Sequence, residues 1–298
     1  MTNAPSSFRP RAGRFAAAAG LFASMLAACS SSPDRSGLAE RYEVELRERN
    51  FLRQDVIVGD APYSNAMLTR HFERVVFDHE EQLSEGIPGY ADRELLVVKW
   101  AGPILYRLEG GGVRPTDETA VAALATRLAA YTGLEIRTAR AGEEPTMRIF
   151  VMGPDERYAF LSRRRSDDPQ NVSWSLESWV RQPQVPCSGF SRLRSAENAF
   201  VYAENFVSAE LEGVLRLSCF HEEMAQALGL TNDHPEVRPS LFNDDQEFAV
   251  LTEHDGYLLR LLYHPAVKAG MRRDEAMPVV RRIVDEIRPR GRGRRAAG

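Results

Sequence analysis

Apolar residues recur along this chain with two periods, one of three to four positions and one of two, and the switches between them predict alternating helices and strands. Leu38, Tyr42 and Leu46 repeat every fourth residue, with Glu43/Arg47 and Glu45/Arg49 set to pair on the outer side, which predicts a first helix over 38–50. Ala61-Pro62-Tyr63 breaks the chain, and Ser64 is placed to cap a second helix whose stripe is Leu68, Phe72, Val75 and Val76. Residues 95–100 and 104–108 are strand-like and end at Gly110-Gly111-Gly112. That triplet lacks the Lys-Ser/Thr of a phosphate loop and reads as a turn. Thr116 opens a helix carrying Val121, Leu124, Leu128 and Tyr131, and Gly133 closes it. Residues 147–152 form a further strand, and Pro154-Asp155-Glu156 begins another helix.

The pattern fades after that. Arg163-Arg164-Arg165 reads as a solvated patch on a loop, and residues 166–197, with Trp174, Trp179 and three prolines, are the least regular stretch. A short strand over 199–203 precedes a long helical run over 205–230 ended by Gly229. Thr252 with Asp255 resembles a capping box before Leu258, Leu259, Leu262 and Tyr263. Asp274 is a plausible cap for a last helix to Ile287. Arg288, Arg290, Arg292, Arg294 and Arg295 then alternate with Gly and Pro, a composition expected to be disordered, with anionic lipid or lipopolysaccharide as its functional option. No repeat of solenoid length is present.

Composition narrows the class. The 298 residues are 43% hydrophobic and 27% charged, with 38 basic and 42 acidic side chains and a net charge of -4. Such a balance disfavours nucleic acid as a partner, and the mix is that of a globular domain. Only Lys99 and Lys268 are lysines, a bias that reads as a GC-rich bacterial genome. Near the start, Arg9, Arg11 and Arg14 precede an alanine-rich apolar stretch too short to span a bilayer, ending in Leu26-Ala27-Ala28-Cys29. This resembles the lipobox of bacterial lipoprotein signal peptides and implies cleavage after residue 28 and lipid attachment at Cys29. The expected arrangement is a signal peptide over 1–28, a tether over 29–37, one domain over 38–287 with an N-terminal helical extension, and an arginine-rich tail over 288–298. Ser30 follows the cysteine with no aspartate, which by resemblance points to the outer membrane facing the periplasm. The remaining cysteines, Cys187 and Cys219, read as a disulfide in an oxidising envelope, with two buried thiols as the alternative.

The chemistry concentrates in Cys219-Phe220-His221-Glu222-Glu223-Met224-Ala225-Gln226-Ala227-Leu228-Gly229-Leu230-Thr231-Asn232-Asp233. On a helix Glu222 and Gln226 share a face, and Glu223 reaches both Cys219 and Gln226. Acids on a buried flank are costly unless paired, hydrogen-bonded or bound to a cation, while a solvated acidic face is the plainer alternative. The stretch resembles metzincin-type zinc peptidases, which place H-E-x-x-H on a helix, turn at a glycine and add a third ligand. On that frame Glu222 takes the first histidine's place, Glu223 the general base, Gln226 the second histidine, Gly229 the turn and Asn232 the third ligand, with Asp233 following. Leu241, in Pro239-Ser240-Leu241-Phe242, stands where the Met-turn methionine belongs, and Leu251-Thr252-Glu253-His254-Asp255 through Leu262-Tyr263 resembles the last helix of matrixins. More closely, residues 61–63 with 68–74, then 219–233, 239–245 and 251–271, resemble the bacterial domain-of-unknown-function family 2927. That resemblance implies an exported α+β, zincin-like domain, a mixed sheet packed on long helices, with EExxQ in place of HExxH.

The departures govern the functional expectation. A catalytic zinc wants about three protein ligands, commonly imidazole, and an open position. Here the three positions are carboxylate or amide, and shifting the frame to use His221 puts Ala225 where the second histidine should be. Oxygen donors favour calcium, magnesium or manganese, so a divalent cation is possible but no cofactor is expected. His221, His234, His254 and His264 either assemble a displaced metal site or serve separately as capping and surface histidines. Asn243-Asp244-Asp245-Gln246-Glu247 either holds calcium or makes a turn. The leading expectation is a membrane-tethered, non-catalytic binding or assembly module with an unknown envelope protein or peptide as partner. The alternative is a hydrolase of peptide or cell-wall material with Glu223 as general base, Glu222 and Asp233 as ligands, and Gln226 or Asn232 orienting a carbonyl.

Overall fold

The structure, a computed structural model, describes residues 35–78, 96–168, 172–182, 185–194, 196–243 and 245–289. The signal segment, Cys29, Leu95, Asn171, Asp244 and the arginine tail from residue 290 lie outside the described residues. Among those described, no helix is long and apolar enough to cross a membrane.

Eight helices and six strands are found among the described residues: α1 (Arg35–Glu48), α2 (Asn65–Phe77), β1 (Lys99–Trp100), β2 (Ile104–Glu109), α3 (Pro115–Thr132), β3 (Ile136–Thr138), β4 (Met147–Met152), α4 (Pro154–Asp167), α5 (Trp174–Arg181), β5 (Cys187–Arg194), β6 (Ala199–Ser208), α6 (Gly213–Gln226), α7 (Glu253–Tyr263) and α8 (Arg273–Ile287). The sheet order is β1-β6-β4-β2-β3, all parallel, with β5 antiparallel to β6. Because β5 runs along β6 over residues 199–207, β1 and β4 share the other side of β6. The content is α+β and the sheet is mixed, as the family resemblance implied.

Several elements form where their local signals are unambiguous. Ser64 caps α2, its hydroxyl accepting from Met67 N, and Leu68, Phe72, Val75 and Val76 are all buried. Gly133 closes α3 at φ +75°, and Thr252 with Asp255 forms the capping box of α7. The glycine triplet after β2 is a turn: Gly111 N donates to the Glu156 carboxylate of α4, so an acidic side chain already occupies the amide that an anion would need.

Other expectations need correction. Among the described residues of the strand expected over 95–100, only Lys99 and Trp100 join the ladder, since Val97 instead exchanges backbone hydrogen bonds with Gly270 and Met271. Arg163-Arg164-Arg165 lies within α4, where Arg164 meets Glu204 and Arg165 meets Glu177. The irregular stretch 166–197 holds α5 and β5, and β3 is a further strand that its three residues did not announce. β6 runs through residue 208, and α6 starts only at Gly213, so Asn205 to Ser208 are strand and not helix. A strand buried on both faces loses the alternation that marks a half-exposed one. Arg272, not Asp274, precedes α8, and its amide is taken by Glu275.

β6 divides the interior. Ala203 and Val207 face the large core built with α2, α3, α6 and α7, while Phe206 faces a second cluster with Phe150, Leu161, Leu176 and Trp179 under α4 and α5. Trp179 and Phe206 stack at 5.3 Å between ring centroids. α6 is anchored at its start by Arg216, whose guanidinium donates to both oxygens of Asp117 at 2.7 and 2.6 Å and also reaches Gly112 O. Arg216 and Asp117 are buried, so breaking the pair strands a charge inside the protein. The substitution Asp117→Ala is expected to cost about 3–5 kcal/mol of folding stability, read as a lower urea midpoint with unchanged slope.

Candidate functional site

Successive rungs join α6 to the edge strand β5. Residues 219 and 223 lie one turn apart on the same face of α6, and residues 187 and 189 lie two apart on the same face of β5. The first rung is covalent, the Cys187–Cys219 disulfide with Cα atoms 5.7 Å apart. The second is a contact: a Cβ at Gly189 would overlap a carboxylate oxygen of Glu223. Gly189 pairs with Asn205 of β6, so the Asn205 side chain arrives beside the same carboxylate. Glu223 is 4% exposed and Asn205 1%. Neither atom of the Asn205 amide finds a hydrogen-bond partner among the described residues. The chain thus sinks an acid onto the sheet and sets an uncommitted amide next to it. The disulfide closes a 32-residue separation, worth about 4 kcal/mol in the loop-entropy account, and holds this rung in place.

The neighbouring acid looks elsewhere. Burial raises the Tyr42 hydroxyl pKa, and the charges of Glu45 and Glu222 add to the rise, so Glu222 lies within electrostatic reach of α1. Gln226, four residues on, shares that face and is half-buried. α1 is seated by Leu46, 3% exposed, and by Glu43 beside Gly213 at the start of α6. After Gln226 the chain turns at Gly229, φ +109°, where a side chain would run into Val98 O. Asn232 then fastens the turn to α2, its amide nitrogen donating to Arg74 O at 3.1 Å and its backbone N to Val75 O.

The histidines take separate places. His221 is buried on α6 and its Nδ1 accepts from Leu251 N at 3.1 Å. His254 Nε2 lies 2.8 Å from His71 Nδ1 in a buried pair, with Tyr63 edge-on to the His254 ring. His234 and His264 accept from the backbone amides of Glu236 and Ala266. Among the described residues no three His, Cys, Asp or Glu side chains converge to hold a metal ion. Tested as a zinc site, the donor set does not converge: Glu223 lies against Gly189, His221 turns to Leu251, and Asn232 gives its amide nitrogen to α2 while its Oδ1 has no hydrogen-bond partner among the described residues. In the segment 243–247, Glu247 N takes Asp245 Oδ1 and the Glu247 carboxylate takes Arg53 and Arg238, which is a turn and an ion-pair network.

Asp255 is a hub that the sequence pattern disclosed only as a cap. Fully buried, it accepts from Ser240 Oγ, Leu241 N and Thr252 N, so the 239–242 segment is pinned beneath α7. Gly189, Asn205 and His71 were likewise unmarked. A lone glycine in Cys187-Ser188-Gly189 has no pattern of its own; it acquires meaning only once Glu223 lies above it.

A mixed sheet with a disulfide-braced helix carrying a buried acid is the class that fold and site define. The family model described as protein of unknown function DUF2927 matches residues 65–282, and the chain belongs to that family. The match runs from α2 into α8 and takes in the whole sheet and α6. No curated protein and no solved structure matches the chain.

Two measurements follow from this geometry. Gly189→Ala is expected to lose about 1–3 kcal/mol by overpacking, and much less in a Glu223→Ala background, so a double-mutant cycle reads the contact directly. Burial pushes His71 down to about 3, with His254 adding to the shift, and burial likewise pushes His221 to about 3, helped by Arg127. An unfolded histidine titrates near 6.5. The unfolded chain therefore binds more protons between these values, and stability present above about pH 6.5 falls as pH drops toward 3. His221→Asn keeps an acceptor for Leu251 N and is expected to flatten the melting temperature between pH 7 and pH 4.

Proposed function

We propose that this protein is an exported, lipid-anchored envelope protein whose zincin-like domain works as a non-catalytic binding or assembly module. The lipobox-like Leu26-Ala27-Ala28-Cys29 supports the compartment, and the order EExxQ, Gly229, Asn232 and the 239–242 turn supports the ancestry. The observation that carries the functional half is the placement of Glu223. Its carboxylate lies under β5 against Gly189, while the Glu222 charge is felt at Tyr42 of α1 and His221 faces the 251 turn. Three groups adjacent in sequence thus diverge into three environments. A peptidase centre requires the opposite, a general base and its ligands aimed at one reacting atom.

The uncommitted Asn205 amide beside Glu223 favours a second reading, a hydrolase of peptide or cell-wall material in which Glu223 acts as base and an amide orients the carbonyl. Glu223→Gln separates the two. In the binding module it lowers the melting temperature or partner capture and leaves hydrolysis of peptides and muropeptides at the background of the wild-type protein. Hydrolysis by the wild-type protein that this substitution abolishes would overturn the module and establish the second reading.

A further inference from the structure

The segment joining α1 to α2 meets the start of α7 around a cavity of about 250 Å³. Arg53 bridges to Phe248, and Glu253 N donates to Val56 O at 2.6 Å, so the segment is fastened where it borders the cavity. Its contribution to the wall is aliphatic, from Val56 to Val58 and Pro62, with Pro239 added from the turn before α7. Val56 and Ile57 are exposed, Ile57 by 75%, which leaves aliphatic surface available beside the polar groups.

Three polar side chains line the same cavity with hydrogen-bonding capacity unspent. The Tyr63 hydroxyl is buried and has no hydrogen-bond partner among the described residues. Burial raises its pKa and the Arg288 charge opposes the rise, so it remains an O–H donor close to a cation. His254, 1% exposed, shares its Nε2 with His71; its Nδ1 lies 3.5 Å from Asp255 Oδ1, which Ser240 already occupies, and makes no hydrogen bond. Buried polar atoms left in this state are costly, and two of them border one cavity. Arg288, just past α8, lies 4.3 Å over the Tyr63 ring and 5.9 Å from the Tyr257 ring. Its Nη1 donates to Asn65 Oδ1 at 2.8 Å, and the Asn65 amide nitrogen is itself held by Asp285 and Arg288 O. The guanidinium is therefore oriented, its other N–H groups stay open, and no carboxylate among the described residues pairs with it.

An oriented guanidinium stacked on the ring that carries a free hydroxyl suits a planar pair of oxygens, one accepting from N–H and the other from O–H. A phosphate would bring a second negative charge toward Glu253, an exposed acid on the same cavity, and a cation would meet Arg288. The volume falls below the roughly 300 Å³ at which drug-sized ligands are enclosed, so the cavity suits an end group with a short body.

We infer that this cavity binds the carboxylate of a short aliphatic acid, free or at the C-terminus of a peptide, between Arg288 and the Tyr63 hydroxyl, with the aliphatic body against Val56, Ile57 and Pro62. No residue of α6 or β5 lines it, so the inference goes beyond the module reading and fails or stands separately from it.

Amide-shift titration of the isotope-labelled protein with isovalerate and with N-acetyl-leucine tests it, beside isovaleramide, isoamylamine, acetate and inorganic phosphate. Saturable shifts are expected for both acids at residues 56–63 and 252–254, and the tighter of the two names the source of the carboxylate. The amide, the amine and acetate should each bind roughly tenfold more weakly or worse. Arg288→Gln should weaken isovalerate by a similar factor. Tyr63→Phe should weaken it about threefold and melt no lower than the wild type, because the hydroxyl has no protein partner to lose. No saturable shift from the cooperatively folded wild type, isovaleramide or phosphate binding as tightly as isovalerate, or unchanged affinity in both variants would each overturn the proposal.

Discussion

A helix can carry a carboxylate into the interior of a sheet only where the sheet leaves room beneath it and something holds the two together. Gly189 supplies the room under Glu223, and the Cys187–Cys219 bond one turn earlier on α6 supplies the hold. Both act on β5, an edge strand with a single neighbour among the described strands, which backbone pairing alone would secure least. Because β5 sits against α6 in this way, the register with β6 follows, and Asn205 arrives at Glu223. The other end of α6 has its own anchor in Arg216 and Asp117, a bidentate pair removed from water. Between these anchors the helix has no freedom to roll, and that fixes which side chains face the sheet, which face α1 and which face α7.

The histidines show the same logic of fixed direction. His221 stands next to Glu222 in sequence, but on a helix neighbours point about 100° apart. With Cys219 and Glu223 committed to β5, His221 is carried to the side of Leu251, where its acceptor nitrogen serves a backbone amide. Asp255 organises that side further by gathering Ser240, Leu241 and Thr252. Charge-assisted hydrogen bonds from several donors replace the water of this buried carboxylate, and His254 Nδ1 lies 3.5 Å from its Oδ1. Asp255 therefore behaves as a structural acid, and the 239–242 segment owes its position to it.

Legibility in the sequence followed the kind of signal each element uses. α2, α3 and α7 were readable because cap and apolar stripe agree: Ser64 with Leu68 and Phe72, Gly133 after Leu128, Thr252 with Asp255. β6 was half-read because Glu204 and Asn205 interrupt the apolar run, and two polar residues in succession look like a boundary in a strand buried on both faces. β5 was unreadable for a related reason: Cys187-Ser188-Gly189 has neither alternation nor β-branched residues, and its place is set by a disulfide and by pairing. The cluster around Glu223 was found as a cluster, from the cost of burying acids. Its interior arrangement was not, since Gly189 and Asn205 become site residues only through contacts distant in sequence.

Glu204 and Asn205 deserve to be considered as a unit. In a strand they must project to opposite faces, and here each face has a use for its polar residue: Arg164 and Tyr202 on one, Glu223 and Gly189 on the other. A slip of one residue one way would bring Glu204 to the carboxylate of Glu223 and Ala203 to Arg164; the other way it would bring Asn205 to Arg164 and Phe206 to Glu223. Ala203, Phe206 and Val207 would be displaced by the same slip, but apolar side chains tolerate a change of apolar surroundings better than like charges tolerate contact. The polar pair therefore specifies the register of β6 more sharply than its hydrophobic residues do. Since β6 pairs with β1, β4 and β5, that specification extends to every strand beside it.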